Sequence, residues 1–415
     1  ISIENITDCP RYIGCIVKNV AVGPSPEWLV EKLKSVGHKS INNIVDISNY
    51  VLLEMGHPTH IFDYDKLTNK SIYVRRSLKK EQLKTLDGQI HKLDETHLLI
   101  TDGENPIALA GVMGGDNSSV SEKTKTILVE SAYFNPITIR KSSKSLSLST
   151  DASKIYERGA DPNGCKSAFS RVVNLIQELT AGKISSEVVD VYPEPIKSEI
   201  ITFRRSELEL LSGIKIDDKR IEKILISLEI EITKIDNGWE CIIPTFRPDI
   251  TREVDIIEEI LRIYGYENIP SDEKLYGSFV HKSPDPEKHL ESIRNTLSGF
   301  GFHQIYANSL QNEEEANLVG ESPVKMLNPL NQEMGFLRTS LLPGLLKALD
   351  HNLKHSMQNI RLFELANIHT SNGVTLDSIF EKRFLSGVLS GYSLEPSVHT
   401  AGLKEDLFDL KGYVE

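Results

Sequence analysis

The sequence predicts a multidomain α+β chain. Three observations carry that reading. Short alternating runs bounded by turn residues are interspersed with amphipathic helical stretches, as in antiparallel or mixed sheets with helices packed on them. Two proline-punctuated stretches, "VYPEPIKSE" (191–199) and "HKSPDPEK" (281–288), cut the chain into three segments. The length, 415 residues, exceeds what one hydrophobic core sustains.

In the first segment "YIGCIVKNVAV" (12–22) reads as a strand. A helix follows, with Ser25 as N-cap, Pro26 at the first helical position and Glu27 in the first turn. Trp28, Leu29, Leu33 and Val36 share its apolar face, and Gly37 ends it. The runs "SIYVRR" (71–76), "LLITDG" (98–103), "PIALAGVMGG" (106–115) and "TILVESAYF" (126–134) read as strands, and a long helix near 163–181 closes the segment. The second segment, about 200–270, has a helix at 217–229, strands "IEIT" and "WECIIP", and a helix at 251–264 begun by Thr251 and stopped by Gly265. That order is winged-helix-like, but "REVDIIEEILRIYGY" is too acidic to lie along a phosphate backbone. The third segment offers a helix at 286–298, strand-like "FHQIYANSL", the helical "FLRTSLLPGLLKALDHNLKH", and strands "NIRLFELANIH" and "RFLSGVLSGY".

Composition narrows the function classes. With 39% hydrophobic and 26% charged residues the chain is soluble globular material, and no apolar run approaches the ~18 residues of a membrane span. A net charge of −12 argues against a protein that coats nucleic acid. It leaves room for local basic tracks at "VRRSLKK" (74–80), "RKSSK" (140–144) and "FRRS" (203–206), each of which also reads as a solvated face. Cys9, Cys15, Cys165 and Cys241 fit neither a disulfide framework nor a zinc knuckle, which points to a reducing cytoplasm. The opening "ISIENITDCPRY" and closing "DLFDLKGYVE" both read as cut ends.

Four stretches could carry chemistry. "GHPTHIFD" (56–63) pairs two histidines, but Pro58 drives His57 out of the helical region that a two-histidine zinc clip uses. A structural turn, or one working histidine, His60, presented by a rigid loop with Phe62 as its anchor, remain. "GVMGG" (111–115) lacks the strand–GxGxxG–helix order of a dinucleotide site; it is a tight turn, or Gly114 keeps a pocket wall clear. "STDASKIYERG" (149–159) reads as a helix capped by Thr150 or Asp151, with no nucleophile elbow. "RPDITREVDIIEE" (247–259) sets Asp255, Glu258 and Glu259 near one helix face, with Asp249 just ahead. Such carboxylates could hold Mg²⁺. Ion pairs explain them as well, Glu258 with Arg262 and Arg252 with Asp255.

Taken together, "CPRY", "SPEWLVEKLKSVG", "NNIVDISNYVLLEMGHPTHIFDYDKL", "GVMGG", "TDASKIYERGADP", "RPDITREVDIIEEILRIYGYENIP", "LRTSLLPGLL" and "LFELANIH" occur in one order. The chain so resembles the bacterial-type beta subunits of phenylalanyl-tRNA synthetase over essentially all its length. The resemblance implies an editing (B3/4-type) domain over 1–192 and a small winged-helix-like (B5-type) domain over 196–271. A class II synthetase-like antiparallel sheet domain over 278–415 would follow, truncated at its C-terminus. It implies hydrolysis of tyrosine wrongly attached to tRNA(Phe), with His60, Glu130 and Thr150 at the centre. Ser48, Asn49, Gly114 and Ala152 would form the binding wall. Glu130, as an ionised acceptor, would take the tyrosyl hydroxyl; His60 would position the ester or its water; Thr150 would orient the water or the amine. Weak Mg²⁺ binding is implied at Asp249, Asp255, Glu258 and Glu259. ATP would enter only through the alpha partner of an α2β2 tetramer, since Arg338 stands without a glycine-rich ATP motif. The family commonly has Gln at His57, a larger apolar residue at Thr59 and often Thr at Ser48, so no role is implied for His57. Two other readings are a scaffold with a dead pocket, which the presence of both His60 and Glu130 opposes, and a free-standing trans-editing deacylase, which the third segment opposes.

Overall fold

The computed structural model describes residues 1–271, 277, 285, 287–319, 322–373 and 375–415, so most of the linker expected at 281–288 lies outside the described residues. The chain divides into two compact units, Ile1–Lys274 and Leu275–Glu415.

The first unit opens with β1 (Ser2–Ile3), β2 (Arg11–Lys18), α1 (Glu27–Ser35) and α2 (Asn43–Met55). Then come β3 (Thr59–Asp63), β4 (Tyr73–Arg76), the hairpin β5 (Gln82–Lys84) and β6 (Ile90–Lys92), β7 (Leu98–Thr101), β8 (Pro106–Leu109), β9 (Met113–Gly114) and β10 (Thr126–Tyr133). Helices α3 (Pro136–Ser145), α4 (Asp151–Arg158) and α5 (Gly164–Thr180) and the short strands β11 (Lys183–Ile184) and β12 (Val189–Val191) complete this part.

Two sheets result, one in the order β1-β4-β7-β8-β9, the other β11-β2-β10-β3 with β12 also on β2. Side chains alternate along β10, so its two faces feed two cores. Leu128 and Ala132 join Tyr12, Phe62, Leu99 and Ala108 in one. Ile127 and Val129 join Ile44, Ile47, Val51, Val172 and Ile176, from α2 and α5, in the other. The linker expected at 191–199 begins inside the fold, because Val191 pairs with Tyr12.

Helix α1 departs from the sequence expectation. It starts at Glu27 with Pro26 at the cap and no side-chain cap bond. The Ser25 hydroxyl is drawn instead to the carboxylate of Asp46, which also takes the Ser40 hydroxyl and the Ile41 amide. Only Leu29 and Leu33 are buried on this helix; Trp28 is exposed and meets Tyr50 edge-on at 5.6 Å.

The same unit continues with β13 (Glu199–Arg204), α6 (Arg205–Ser212), α7 (Asp218–Ser227), β14 (Glu231–Ile235), β15 (Gly238–Ile243) and α8 (Glu253–Tyr264). The antiparallel sheet β13-β15-β14 and the three helices enclose Trp239, stacked on Phe203 at 5.5 Å. Thr245 ties this part to the preceding one, donating to Asp161 at 2.6 Å.

The second unit contains α9 (Lys288–Gly299), β16 (His303–Gln304), β17 (Leu310–Gln311), α10 (Glu313–Ala316), β18 (Phe336–Leu337), α11 (Leu342–Lys354), β19 (Ile360–Ser371), β20 (Ile379–Ser390), β21 (Tyr392–Leu394), β22 (Leu403–Lys404) and α12 (Leu407–Val414). The expected "FHQIYANSL" strand survives only as β16 and β17. The expected antiparallel sheet is mixed: β19 runs antiparallel to β20 but parallel to β16. Among the described residues no helix is long and apolar enough to cross a membrane.

Candidate functional site

A cavity of about 530 Å³ opens in the first unit, within the range that holds small ligands. Its lining includes Ser48, Asn49, His60, Gly114, Glu130, Thr150 and Ala152, all seven residues singled out for this site from sequence. They come from five elements or their caps. Ser48 and Asn49 sit on α2, which runs from the Asn42 cap to Gly56 in the left-handed region at φ 65°. His60 on β3 lies directly opposite Glu130 on β10, and Gly14 on β2 lies opposite Glu130 on the other side. Gly114 ends β9, and Thr150 caps α4 just ahead of Ala152.

Glu130 is the buried acid of the cavity, only 4% exposed. Its Oε2 accepts from the Tyr12 hydroxyl at 2.9 Å, and among the described residues no hydrogen bond reaches Oε1. Burial pushes its carboxyl up to about 8, the Tyr12 bond pulling the other way. Burial thus favours the neutral carboxyl over the ionised acceptor expected for Glu130.

His60 makes no hydrogen bond among the described residues and meets Phe62 edge-on at 4.5 Å. Its ring keeps some access to the cavity, yet enclosure pushes it down to about 4, so it is a neutral imidazole at pH 7. Gly114 leaves room for this ring: a Cβ at this position would lie 2.5 Å from His60 Cε1, so the imidazole would have to move. The Thr150 hydroxyl is largely committed. It donates to the Val112 carbonyl at 2.7 Å and accepts the Ser153 amide at 3.1 Å, leaving one lone pair. Ser48 is committed as well, donating to the Thr59 carbonyl at 2.7 Å. His57 does not line the cavity; both its ring nitrogens are buried without a hydrogen-bond partner.

The acidic stretch on α8 does not gather as a metal site. Among the described residues no three His, Cys, Asp or Glu side chains converge so as to hold an ion. Arg247 takes Asp249 at 2.7 Å and Glu259 at 2.9 Å, and Arg262 adds a second contact to Glu259 at 2.8 Å. Arg262 and Arg247 together hold the Glu259 carboxyl down to about 2 despite its burial. Asp255 closes the capping box of α8, accepting the Arg252 amide at 2.8 Å. Glu258 points to solvent, so the expected Glu258–Arg262 pair is replaced by Glu259–Arg262. Three of the four donors expected to hold Mg²⁺, Asp249, Asp255 and Glu259, are thus occupied by guanidiniums and amides, the fourth, Glu258, faces solvent, and they do not gather around one ion in this arrangement. Two of the basic tracks are likewise paired: Arg75 with Glu81, Arg76 with Asp8, Arg204 with Glu253 and Arg205 with Asp218.

Sequence reasoning missed α2, β3, α3, α6, β13 and the β5–β6 hairpin, so that His60, expected on a rigid loop, is held in a strand instead; within the site it missed Tyr12 and Tyr156. Tyr156 fixes the cavity wall, its single O–H shared between the Ala132 carbonyl at 2.9 Å and the Pro58 carbonyl at 3.1 Å. Alternation along β2 gives the face of Tyr12, but nothing local names a partner 118 residues away.

Residues 8–181 match the B3/4 domain, 201–266 the tRNA synthetase B5 domain and 276–415 the phenylalanyl tRNA synthetase beta chain CLM domain. Beta subunits of phenylalanine–tRNA ligase from Protochlamydia amoebophila and Carboxydothermus hydrogenoformans are 41% and 38% identical over the whole of this chain, which covers 52% of each. That from Syntrophotalea carbinolica is 37% identical, again over the whole chain and 53% of the relative. The chain thus spans about half the length of the curated relatives it matches. The crystal structure of an N-terminal fragment of the phenylalanyl-tRNA synthetase beta subunit from Pyrococcus horikoshii is a loose likeness. It shares 17% identity at a TM-score of 0.31, over 64% of this chain and 74% of that one.

Proposed function

The chain belongs to the phenylalanine–tRNA ligase beta-subunit family, and from that premise we propose that its cavity hydrolyses tyrosine wrongly attached to tRNA(Phe). Aminoacylation with ATP belongs on this reading to an alpha partner in a cytoplasmic α2β2 tetramer. The winged-helix-like part and the second unit serve as its scaffold. A pocket that selects phenylalanine cannot strongly reject an isostere bearing one extra hydroxyl, so a second, hydrolytic sieve is needed.

The observation that supports the reading is the convergence of His60, Glu130, Thr150, Ser48, Asn49, Gly114 and Ala152 on one cavity. Four of them then have distinct tasks, and Ser48, Asn49 and Ala152 form the wall. Glu130 meets the phenol through its free oxygen. Thr150, with its proton already given to Val112, has only a lone pair to offer and so receives an N–H of the amino-acid ammonium. The neutral ring of His60 accepts from water and aims it at the ester carbonyl. With a pKa of about 4 it is a weak base, so the rate comes mainly from placing water and ester together. Gly114 admits the ring of His60 to this place. In the second unit Arg338 is buried against Glu364 at 2.8 Å, which leaves it no freedom to hold a phosphate and favours a class II-like core without chemistry of its own.

The test uses the complete two-subunit enzyme and follows deacylation of tyrosyl-tRNA(Phe) and phenylalanyl-tRNA(Phe). Wild type should clear tyrosine and spare phenylalanine. Gly114→Leu, which fills the space before His60, should lose tyrosine clearance by at least tenfold, on the order of 1.4 kcal/mol in transition-state stabilisation. Undiminished clearance in that variant would move the reaction out of this cavity.

A further inference from the structure

Glu130 shares one face of the sheet with Tyr12 and His60, since Tyr12 and Gly14 on β2 and His60 and Phe62 on β3 alternate in register with it. The titratable groups turned to that face are Tyr12 and the nearby Cys9 from the β2 side, His60 from β3 and Tyr156 from α4; His38 and Asp151 also line the cavity and are paired with each other at 3.5 Å. From β7 and β8 come the apolar Ile100 and Ala108. Charged neighbours are spoken for: Arg76 pairs with Asp8 at 2.8 Å, and Arg11 turns away to Asp190 at 2.7 Å. Among the described residues no cation reaches the Glu130 carboxyl. A carboxylate in such surroundings has one hydrogen bond and no counter-charge, and the neutral acid is the form that fits.

We propose that Tyr12 is a positioning residue that engages Oε2 of Glu130 and thereby presents a neutral carboxyl whose Oε1–H donates to the phenol oxygen of a tyrosyl substrate. The proposal rests on the editing reading above and specifies how that site tells tyrosine from phenylalanine. Tyr12 is suited to the task because its own phenol is fully buried and stays protonated: burial and the facing Glu130 carboxyl both raise it well above the usual range. As a permanent donor to Oε2, it leaves the acid proton only Oε1, the oxygen without a partner. A phenylalanyl group would leave that O–H unpaired in an enclosed site, which disfavours it roughly 10- to 100-fold. An ionised carboxylate could favour tyrosine only as an acceptor, with a preference that rises as the acid ionises, whereas a neutral donor's preference falls, so response to pH and to an amide separates the two cases.

The experiment measures kcat/KM for tyrosyl-tRNA(Phe) and phenylalanyl-tRNA(Phe) in the complete two-subunit enzyme, across a range bracketing pH 8. Uncatalysed ester hydrolysis is subtracted, and wild type, Tyr12→Phe and Glu130→Gln are compared. Infrared spectra of the same proteins are taken for the C=O stretch of a protonated carboxyl. We expect tyrosine preference in wild type to fall as pH rises past about 8, where the acid ionises. Glu130→Gln, whose amide is also a neutral donor, should keep most tyrosine clearance and lose that fall. Tyr12→Phe should weaken tyrosine preference about tenfold and move the fall to higher pH, because the bond from Tyr12 is what lowers the Glu130 pKa. The protonated band should be present in wild type at neutral pH and absent in Glu130→Gln. A wild type that clears no tyrosine overturns the editing reading and the phenol contact with it. A wild type that clears tyrosine beside a folded but inactive Glu130→Gln, or that lacks the protonated band, overturns the neutral donor alone.

Discussion

His57 and His60 are three residues apart, and burial lowers both to about 4. The reasons for keeping them differ. His60 opens onto the cavity, whereas both nitrogens of His57 are sealed and unpaired. The His57 ring approaches the Ala132 carbonyl, which Tyr156 already uses, without the geometry of a hydrogen bond; nearby Asp161 only partly offsets the burial. Because the folded pKa lies below the unfolded 6.5, the unfolded chain takes up protons first as pH falls. Each histidine's contribution is thus intact above pH 6.5 and is lost as pH drops toward 4. Replacing His57 by Leu removes two unpaired polar atoms as well as the titration. We expect His57→Leu to raise the unfolding free energy by about 1–3 kcal/mol at neutral pH. Its loss of stability between pH 6.5 and 4 should be visibly shallower than in wild type. Urea unfolding at a series of pH values measures both. An acid limb as steep as in wild type would mean that His57 is not a source of the acid sensitivity.

At the scale of elements, α4 shows how a helix cap can also build a site. Thr150 and Ser153 form a capping box, and the Thr150 hydroxyl also ties the helix start to Val112, just ahead of β9. Thr150→Ala should cost about 1–2 kcal/mol by removing the cap and leaving the Val112 carbonyl without its donor, whereas Thr150→Ser should cost only a few tenths. Chemical denaturation of the two variants checks this; equal losses would mean the hydroxyl contributes nothing. This cap was legible in "STDASKIYERG", as was α5, because both depend on neighbours within a few residues. Helix α2 was not. Its Ile44, Val45, Ile47 and Val51 are β-branched and locally strand-prone, and the helix is secured by the Asn42 cap, Gly56 and burial against α5. The acidic face of α8 misled for a related reason. Spacing put its carboxylates on one helix, but of the two guanidiniums that claim Glu259 one, Arg247, comes from before the helix begins and also takes Asp249. The membership of the cavity was legible only through resemblance; alternation tells which face a strand residue takes, never which distant side chain meets it.

At the scale of the whole molecule, each compact unit has hydrophobic packing of its own, the second around Leu341, Leu345, Ile360, Leu362 and Ile368. Into that small core the chain sets one ion pair, Arg338 with Glu364, respectively 3% and 1% exposed. The pair is supplied on one side only: Arg338 Nε donates to the Asn367 carbonyl at 2.9 Å and the Ala307 amide donates to Glu364 Oε1 at 3.1 Å, while Glu364 Oε2 is buried without a partner among the described residues. Breaking it from one side strands a buried charge, which costs about 3–5 kcal/mol, while replacing both partners with apolar groups is often close to neutral. We therefore expect Arg338→Met to weaken the second unit strongly and Arg338→Met with Glu364→Leu to recover most of the loss. Native-state hydrogen exchange locates the effect. Amides of β19 and β20 should lose protection in the single variant, while those of β10, in the other unit, keep theirs. The double variant should restore β19 and β20 and, on the editing proposed above, leave tyrosine clearance in the complete enzyme at the wild-type rate, since the pair lies in the other unit from the candidate cavity. Equal loss of protection in β10 and β19 would show that the two units do not open separately. A double variant no better than the single would show that the cost lies in lost packing and hydrogen bonds of Arg338, not in the stranded carboxylate.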